Sequence, residues 1–107
     1  MQSNNVWNNI SPQEVEAKIT EGRNIQLIDV RELEEYAAGR IKGSKLIPLG
    51  NLLERTNEID SDMEVICICR SGNRSARACE ILSSLGFNQV SNMDGGMMKW
   101  KGYIEKN

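Results

Sequence analysis

The sequence predicts an α/β protein built on a mostly parallel sheet. Short apolar runs alternate along the chain with amphipathic stretches at helical spacing. Alternation of this kind brings successive strands back parallel through helical crossovers. One run, Glu64 to Cys69 (EVICIC), is apolar at nearly every position, as a central strand covered on both faces should be.

Each element follows from local chemistry. Ser11 is a capping residue and Pro12 fits the first helical position, so a helix opens there; Val15 and Ile19, with the stem of Lys18, form its apolar edge, and Gly22 ends it. Ile25 to Val30 is too short for a helix and reads as a buried strand. Glu32 to Ala38 is helical, with Leu33, Tyr36 and Ala37 on one face and Gly39 as the stop. Lys45 to Leu49 is a second strand. Leu52 to Ile59 reads as a helix weakened by Thr56 and Asn57. After the central strand, Asn73 to Leu85 is a helix with Ala78, Cys79, Leu82 and Leu85 on its apolar face, ended by Gly86. Gln89 to Met93 is the last strand, and Gly95-Gly96 turns into a short helix through Trp100, onto which Met97 and Met98 are expected to pack.

Composition narrows the function. The chain has 107 residues, 39% hydrophobic and 26% charged, which suits one globular domain over residues 1–107 with its core at about 10–103. Thirteen basic against fifteen acidic side chains give a net charge of −2, so no basic footprint for nucleic acid is present. No apolar run is long enough for a membrane span, and Met1 to Asn9 lacks a signal-peptide core, so a cytoplasmic protein is expected. Three cysteines cannot all pair within the chain, and free thiols suit a reducing compartment. The sequence contains no His, which removes Cys–His pairs, Ser–His triads and His-ligated metal sites together. Neither a metal nor a cofactor is expected.

The chemistry concentrates in Cys69-Arg70-Ser71-Gly72-Asn73-Arg74-Ser75, where a cysteine ends the central strand, a tight polar loop follows and a helix begins. In parallel sheets ligands sit beyond the C-terminal strand ends. Backbone N–H groups in such a loop can form an anion-binding concavity, and the helix adds about half a positive charge at its start. Gly72 gives the turn access to positive φ, while Arg74, Arg70 and Arg77 add positive potential. A free thiol has a pKa of about 8.5, and such surroundings bring it to roughly 3.5–7.5. The same cradle would hold a persulfide anion. A buried structural cysteine beside an anion-tolerant loop, or a phosphate-binding loop with an incidental cysteine, remain open on these grounds.

Here the sequence resembles the rhodanese family. Cys69, four intervening residues and Arg74 match its six-residue active-site loop, down to Gly72. Ile28-Asp29-Val30-Arg31 with Glu34-Glu35-Tyr36, then Ile47-Pro48-Leu49, then Asp94-Gly95-Gly96 with Trp100 resemble its other hallmark segments in order, over roughly Ile10 to Tyr103. The resemblance implies a rhodanese-like fold, a central mainly parallel five-stranded sheet flanked by helices on both faces. It implies Cys69 as the persulfide-forming nucleophile and Arg70, Ser71, Gly72, Asn73 and Arg74 as the cradle for the substrate anion or persulfide, with Asp29, Arg31 and Ser75 supporting. Family chemistry moves a sulfane sulfur from a small anionic donor such as thiosulfate to a thiophilic acceptor such as cyanide or a protein thiol. A persulfide carrier with little small-donor turnover needs the same loop. Phosphatases sharing the fold have five residues between Cys and Arg, and catalytically dead interaction domains usually lose the Cys. Many members carry His and Pro in the turn that here reads Gly39-Arg40-Ile41-Lys42-Gly43-Ser44, making this turn more positive.

Blander readings apply elsewhere. Cys67 shares a strand face with Cys69 and is read as core rather than as a resolving thiol or metal ligand. Cys79 is read as core. Asp29 and Arg31 either act near the loop or hold it by an ion pair. Glu32, Glu34 and Glu35 are read as a solvated helix face.

Overall fold

The computed structural model describes residues 6–107. Its sheet has five strands, β1 (Asn8–Ile10), β2 (Ile25–Asp29), β3 (Lys45–Leu46), β4 (Glu64–Ile68) and β5 (Val90–Met93), in the order β1-β5-β4-β2-β3. All four pairings are parallel. The apolar run over Glu64–Ile68 is the central strand, in register with β2 (Asp29 opposite Ile68) and with β5 (Cys67 opposite Asn92).

Strand alternation divides the core into two layers. Val65, Cys67 and Cys69 point to one face, where Ala78, Cys79 and Leu82 of α3 (Asn73–Ser84) cover them together with Ile47, Leu52 and Ile59. Ile66 and Ile68 point to the other, against Val15 of α1 (Pro12–Thr20), Ile41, Met93 and Trp100. α1 starts as its sequence dictates: the Ser11 hydroxyl accepts from the Glu14 N–H (3.1 Å), and the Glu14 carboxylate accepts from the Ser11 N–H (3.0 Å). A shorter helix, α2 (Leu33–Ala38), follows β2. Among the described residues, no helix is long and apolar enough to cross a membrane.

Several expectations are corrected. The fifth strand is β1, three residues that showed no strand signal; only Ile10 is buried, and pairing with β5 defines the strand. The run from Lys45 forms a two-residue strand because Pro48 has no N–H to donate and the chain tightens into a 3-10 turn over Leu49–Asn51. The expected helix over Leu52–Ile59 is a 3-10 segment, Leu53–Glu58, broken at Arg55 (φ −122°, ψ 15°); it still buries Leu52 and Ile59. Ile19, Leu33, Leu85 and Met98, assigned to packed faces, are exposed. The element ending in Trp100 is a 3-10 turn, Gly96–Lys99, with Met97 packed beneath it.

Candidate active site

Cys69 follows β4 directly and sits at the floor of the loop, 1% exposed. Its Sγ accepts from the Gly72 N–H (3.1 Å) and lies 3.2 Å from the Ser75 hydroxyl. The loop is held from outside. The Met97 N–H donates to the Cys69 carbonyl (2.9 Å) and the Met98 N–H to the Arg70 carbonyl (3.0 Å). In a trans peptide the N–H points opposite to the C=O, so the outward Arg70 carbonyl turns the Ser71 N–H inward, toward the sulfur. Gly72 has φ +105° and caps α3, and its carbonyl accepts from the Asn92 side-chain amide (3.2 Å).

The outer tie requires a glycine. A Cβ on Gly96 (φ +59°) would stand 2.5 Å from both the Cys69 and Arg70 carbonyl oxygens. The Asp94-Gly95-Gly96 segment is therefore a backbone buttress for the loop.

Burial pushes the Cys69 thiol up, but the Ser75 hydroxyl and the N–H groups of Ser75, Gly72 and Ser71 outweigh it, and the net shift is downward. Cys67 moves the other way: a hydrogen bond with Cys79, followed by full burial, raises its pKa well above that of an ordinary thiol. All three cysteines are free, and Cys67 of β4 and Cys79 of α3 lie in the core layer between the sheet and α3.

Arg74 differs from its expected use. Both ends of its guanidinium bind the Glu35 carboxylate, at 2.8 and 2.9 Å. The Arg74 bonds, together with the Glu32 N–H, hold Glu35 down to about 2 against the opposing effect of burial. Glu35 is thus a partner of the loop and not a solvated carboxylate. The acidic cluster in α2 gave no hint of this, because the two residues are 39 positions apart. The loop cations without an ion pair among the described residues are Arg70 and Arg77, both exposed.

Asp29 and Arg31 form a buried pair, Nη2 to Oδ2 at 2.8 Å and Nε to Oδ1 at 2.9 Å, and Arg31 also donates to the Gly39 carbonyl at 2.8 Å. They tie the end of β2 to the Gly39 carbonyl at the C-terminal end of α2. Ser75, expected only as a supporting residue, has its hydroxyl directly against the Cys69 sulfur. Asn73 and Ser71 have exposed side chains, so their contribution to the loop is its backbone. The turn with the departure at Arg40 is not a free positive patch: Arg40 pairs with Glu105 (3.3 Å), lies 5.0 Å from the Tyr36 ring centroid and bridges backbone to backbone with Glu105. Sequence reasoning missed Glu35 and Asn92. The available signal for Asn92 was an asparagine, a residue that strands disfavour, two positions after Val90 and so on the same strand face as that buried residue.

Comparison with known proteins supplies the wider setting. Residues 11–103 match the rhodanese-like domain family. YtwF of Bacillus subtilis (strain 168), provisionally named a sulfurtransferase, is 43% identical over 93 residues, covering 87% of this chain and 89% of YtwF. YrkF of the same organism, provisionally named a sulfur carrier protein, is 38% identical over 96 residues, which are 90% of this chain but 52% of YrkF, so the chain spans about half of that protein. The crystal structure of a rhodanese-like domain protein from Staphylococcus aureus superposes with a TM-score of 0.87 at 32% identity, covering 94% of this chain and 98% of that one.

Proposed function

The chain belongs to the rhodanese-like domain family, and we propose that it is a sulfurtransferase that moves sulfane sulfur through a persulfide on Cys69. The observation that carries this reading is the sulfur's setting. Sγ is met by the Gly72 N–H and the Ser75 hydroxyl, inside a loop whose Cys69 and Arg70 carbonyls are tied outward. Such a cradle favours the anion without any general base, which a chain lacking His could not supply from imidazole.

In the proposed reaction, the Cys69 thiolate attacks the outer sulfur of a donor such as thiosulfate. A Cys69 S–S bond forms, the donor's S–S bond breaks, and sulfite leaves with the electron pair. The negative charge moves to the terminal sulfur, which the Arg70–Arg74 loop would cradle as the Ser71, Gly72 and Ser75 N–H groups do the Cys69 sulfur. A thiophilic acceptor, cyanide or a protein thiolate, then attacks that terminal sulfur and Cys69 leaves as thiolate. Arg74 contributes through loop order and field, since Glu35 occupies its fork; Arg70 is the free cation at the rim. The recess of Cys69 admits a slim terminal sulfur more readily than a branched group. Free thiols suit a reducing compartment, and the cytoplasm is the proposed location.

A second reading, a persulfide carrier loaded by another protein, is favoured by the similarity to YrkF. Intact mass spectrometry after thiosulfate treatment tests both. A gain of one sulfur (~32 Da), absent in Cys69→Ser and reversed by cyanide, is the expected result for a persulfide enzyme. Loading from a protein persulfide donor but not from thiosulfate would establish the carrier. Equal loading of Cys69→Ser would refute Cys69 as the sulfur-bearing residue.

A further inference from the structure

Asn92 lies in β5 beside the catalytic loop, 3% exposed. Its Nδ2 faces the Gly72 carbonyl (3.2 Å) and the Asn9 Oδ1 (3.2 Å). A backbone carbonyl only accepts, so Gly72 fixes which end of the side-chain amide is the NH2. The amide oxygen is thereby turned to Ser75, whose Oγ stands 2.5 Å away. The same Oγ stands 3.2 Å from the Cys69 sulfur.

A hydroxyl carries one proton. While the sulfur keeps its own proton, a continuous chain is satisfied: S–H to Oγ, then O–H to the Asn92 oxygen. When the sulfur is an anion, the hydroxyl must turn toward it, and the buried Asn92 oxygen loses its donor. A buried acceptor left unsatisfied is costly. Asn92 and the sulfur therefore compete for one proton.

We propose that Asn92 is a positioning residue that governs the Ser75 hydroxyl, and through it how firmly the site holds an anion on Cys69. Its importance for sulfur transfer rests on the reading above; the competition itself rests on the geometry. A Cys69 thiolate bound less than maximally keeps more of its nucleophilicity toward a donor, whereas a more firmly held thiolate is the better leaving group when an acceptor takes the sulfur. Asn92 thus sets a compromise between ionisation and reactivity. The other ionisable groups that interact with Cys69, Arg74 on α3 and Cys67 on β4, lie outside this hydroxyl chain.

The test titrates Cys69 without any sulfur donor, by ultraviolet thiolate absorbance against Cys69→Ser and by alkylation rate with the site located by intact mass. Asn92→Ala is expected to lower the Cys69 midpoint by about half to one pH unit, the worth of one freed hydrogen bond. Ser75→Ala is expected to raise it, and in that background Asn92→Ala should have no effect. No shift in Asn92→Ala, or the same shift with and without Ser75, would overturn the proposal and make Asn92 a packing residue. Should Asn92→Ala not fold, Asn92→Asp keeps the shape and accepts more strongly. A raised midpoint that shrinks in the Ser75→Ala background supports the role, and an undiminished rise refutes it. Thiosulfate loading measured in parallel separates the two ideas: proton coupling without loading removes the sulfurtransferase reading and leaves Asn92's effect on the thiol.

Discussion

Arg74 and Glu35 form a fork-to-fork pair, Nη1 to Oε1 at 2.8 Å and Nη2 to Oε2 at 2.9 Å, that clamps α2 onto the first turn of α3. The arginine that closes the Cys69 loop thereby acts as a structural tie, and its charge reaches the sulfur as a field.

Glu35→Gln should remove the tie. Glu35 is lowered from 4.5 to about 2 in the fold, so the pair stabilises fully above 4.5 and its contribution fades as pH falls through about 2. For a partly exposed pair the loss at neutral pH is about 0.5–1 kcal/mol. Urea unfolding of both proteins should show a constant difference near neutrality that closes in acid; a gap that stays open at low pH would refute the assignment.

Gly96→Ala drives a methyl into the Cys69 and Arg70 carbonyls. Relief requires the loop or the buttress to move, so a loss of roughly 1–3 kcal/mol is expected. Cys69 alkylation should also shift to higher pH as the N–H groups lose alignment. Wild-type stability together with wild-type alkylation would show the buttress to be dispensable.

Asp29→Asn leaves the Arg31 guanidinium buried opposite a neutral amide, and breaking such a pair costs about 3–5 kcal/mol. The expectation is a large fall in the urea midpoint with normal sulfur loading per folded molecule. Lost loading in a fully folded variant would move Asp29 from scaffold to chemistry.

Cys67→Ala should cost about 1 kcal/mol from a small void and leave one sulfur loaded per chain. Failure to load, with the fold intact, would give Cys67 a part in the transfer.

What could be read from the sequence was local. Val65 to Cys69, the polar loop and the helix after it are contiguous, and a continuous apolar run ending in Cys-x-x-Gly-x-Arg carries its signal within a dozen residues. What could not be read depends on distant partners. Asn8 to Ile10 is a strand only because β5 lies beside it. Glu35 looks solvated until Arg74 is brought to it. Asn92 looks like a tolerated polar residue until Ser75, Gly72 and Asn9 surround it. Leu52 and Ile59, seven residues apart, have the spacing of one α-helical face and are both buried, yet the chain between them takes a 3-10 path broken at Arg55, which their spacing alone does not reveal.

The outward ties on the Cys69 and Arg70 carbonyls come from Met97 and Met98, and the Gly72 carbonyl is held by Asn92, itself bonded to Asn9 across 83 positions. A nascent chain emerging from the ribosome through α3 therefore carries the cysteine and the loop sequence but none of these ties. The ties form only when β5 inserts between β1 and β4 and the chain beyond it reaches the loop, a long-range closure that is slow in parallel topologies. The loop around Cys69 therefore takes its final shape only after synthesis has passed the last strand.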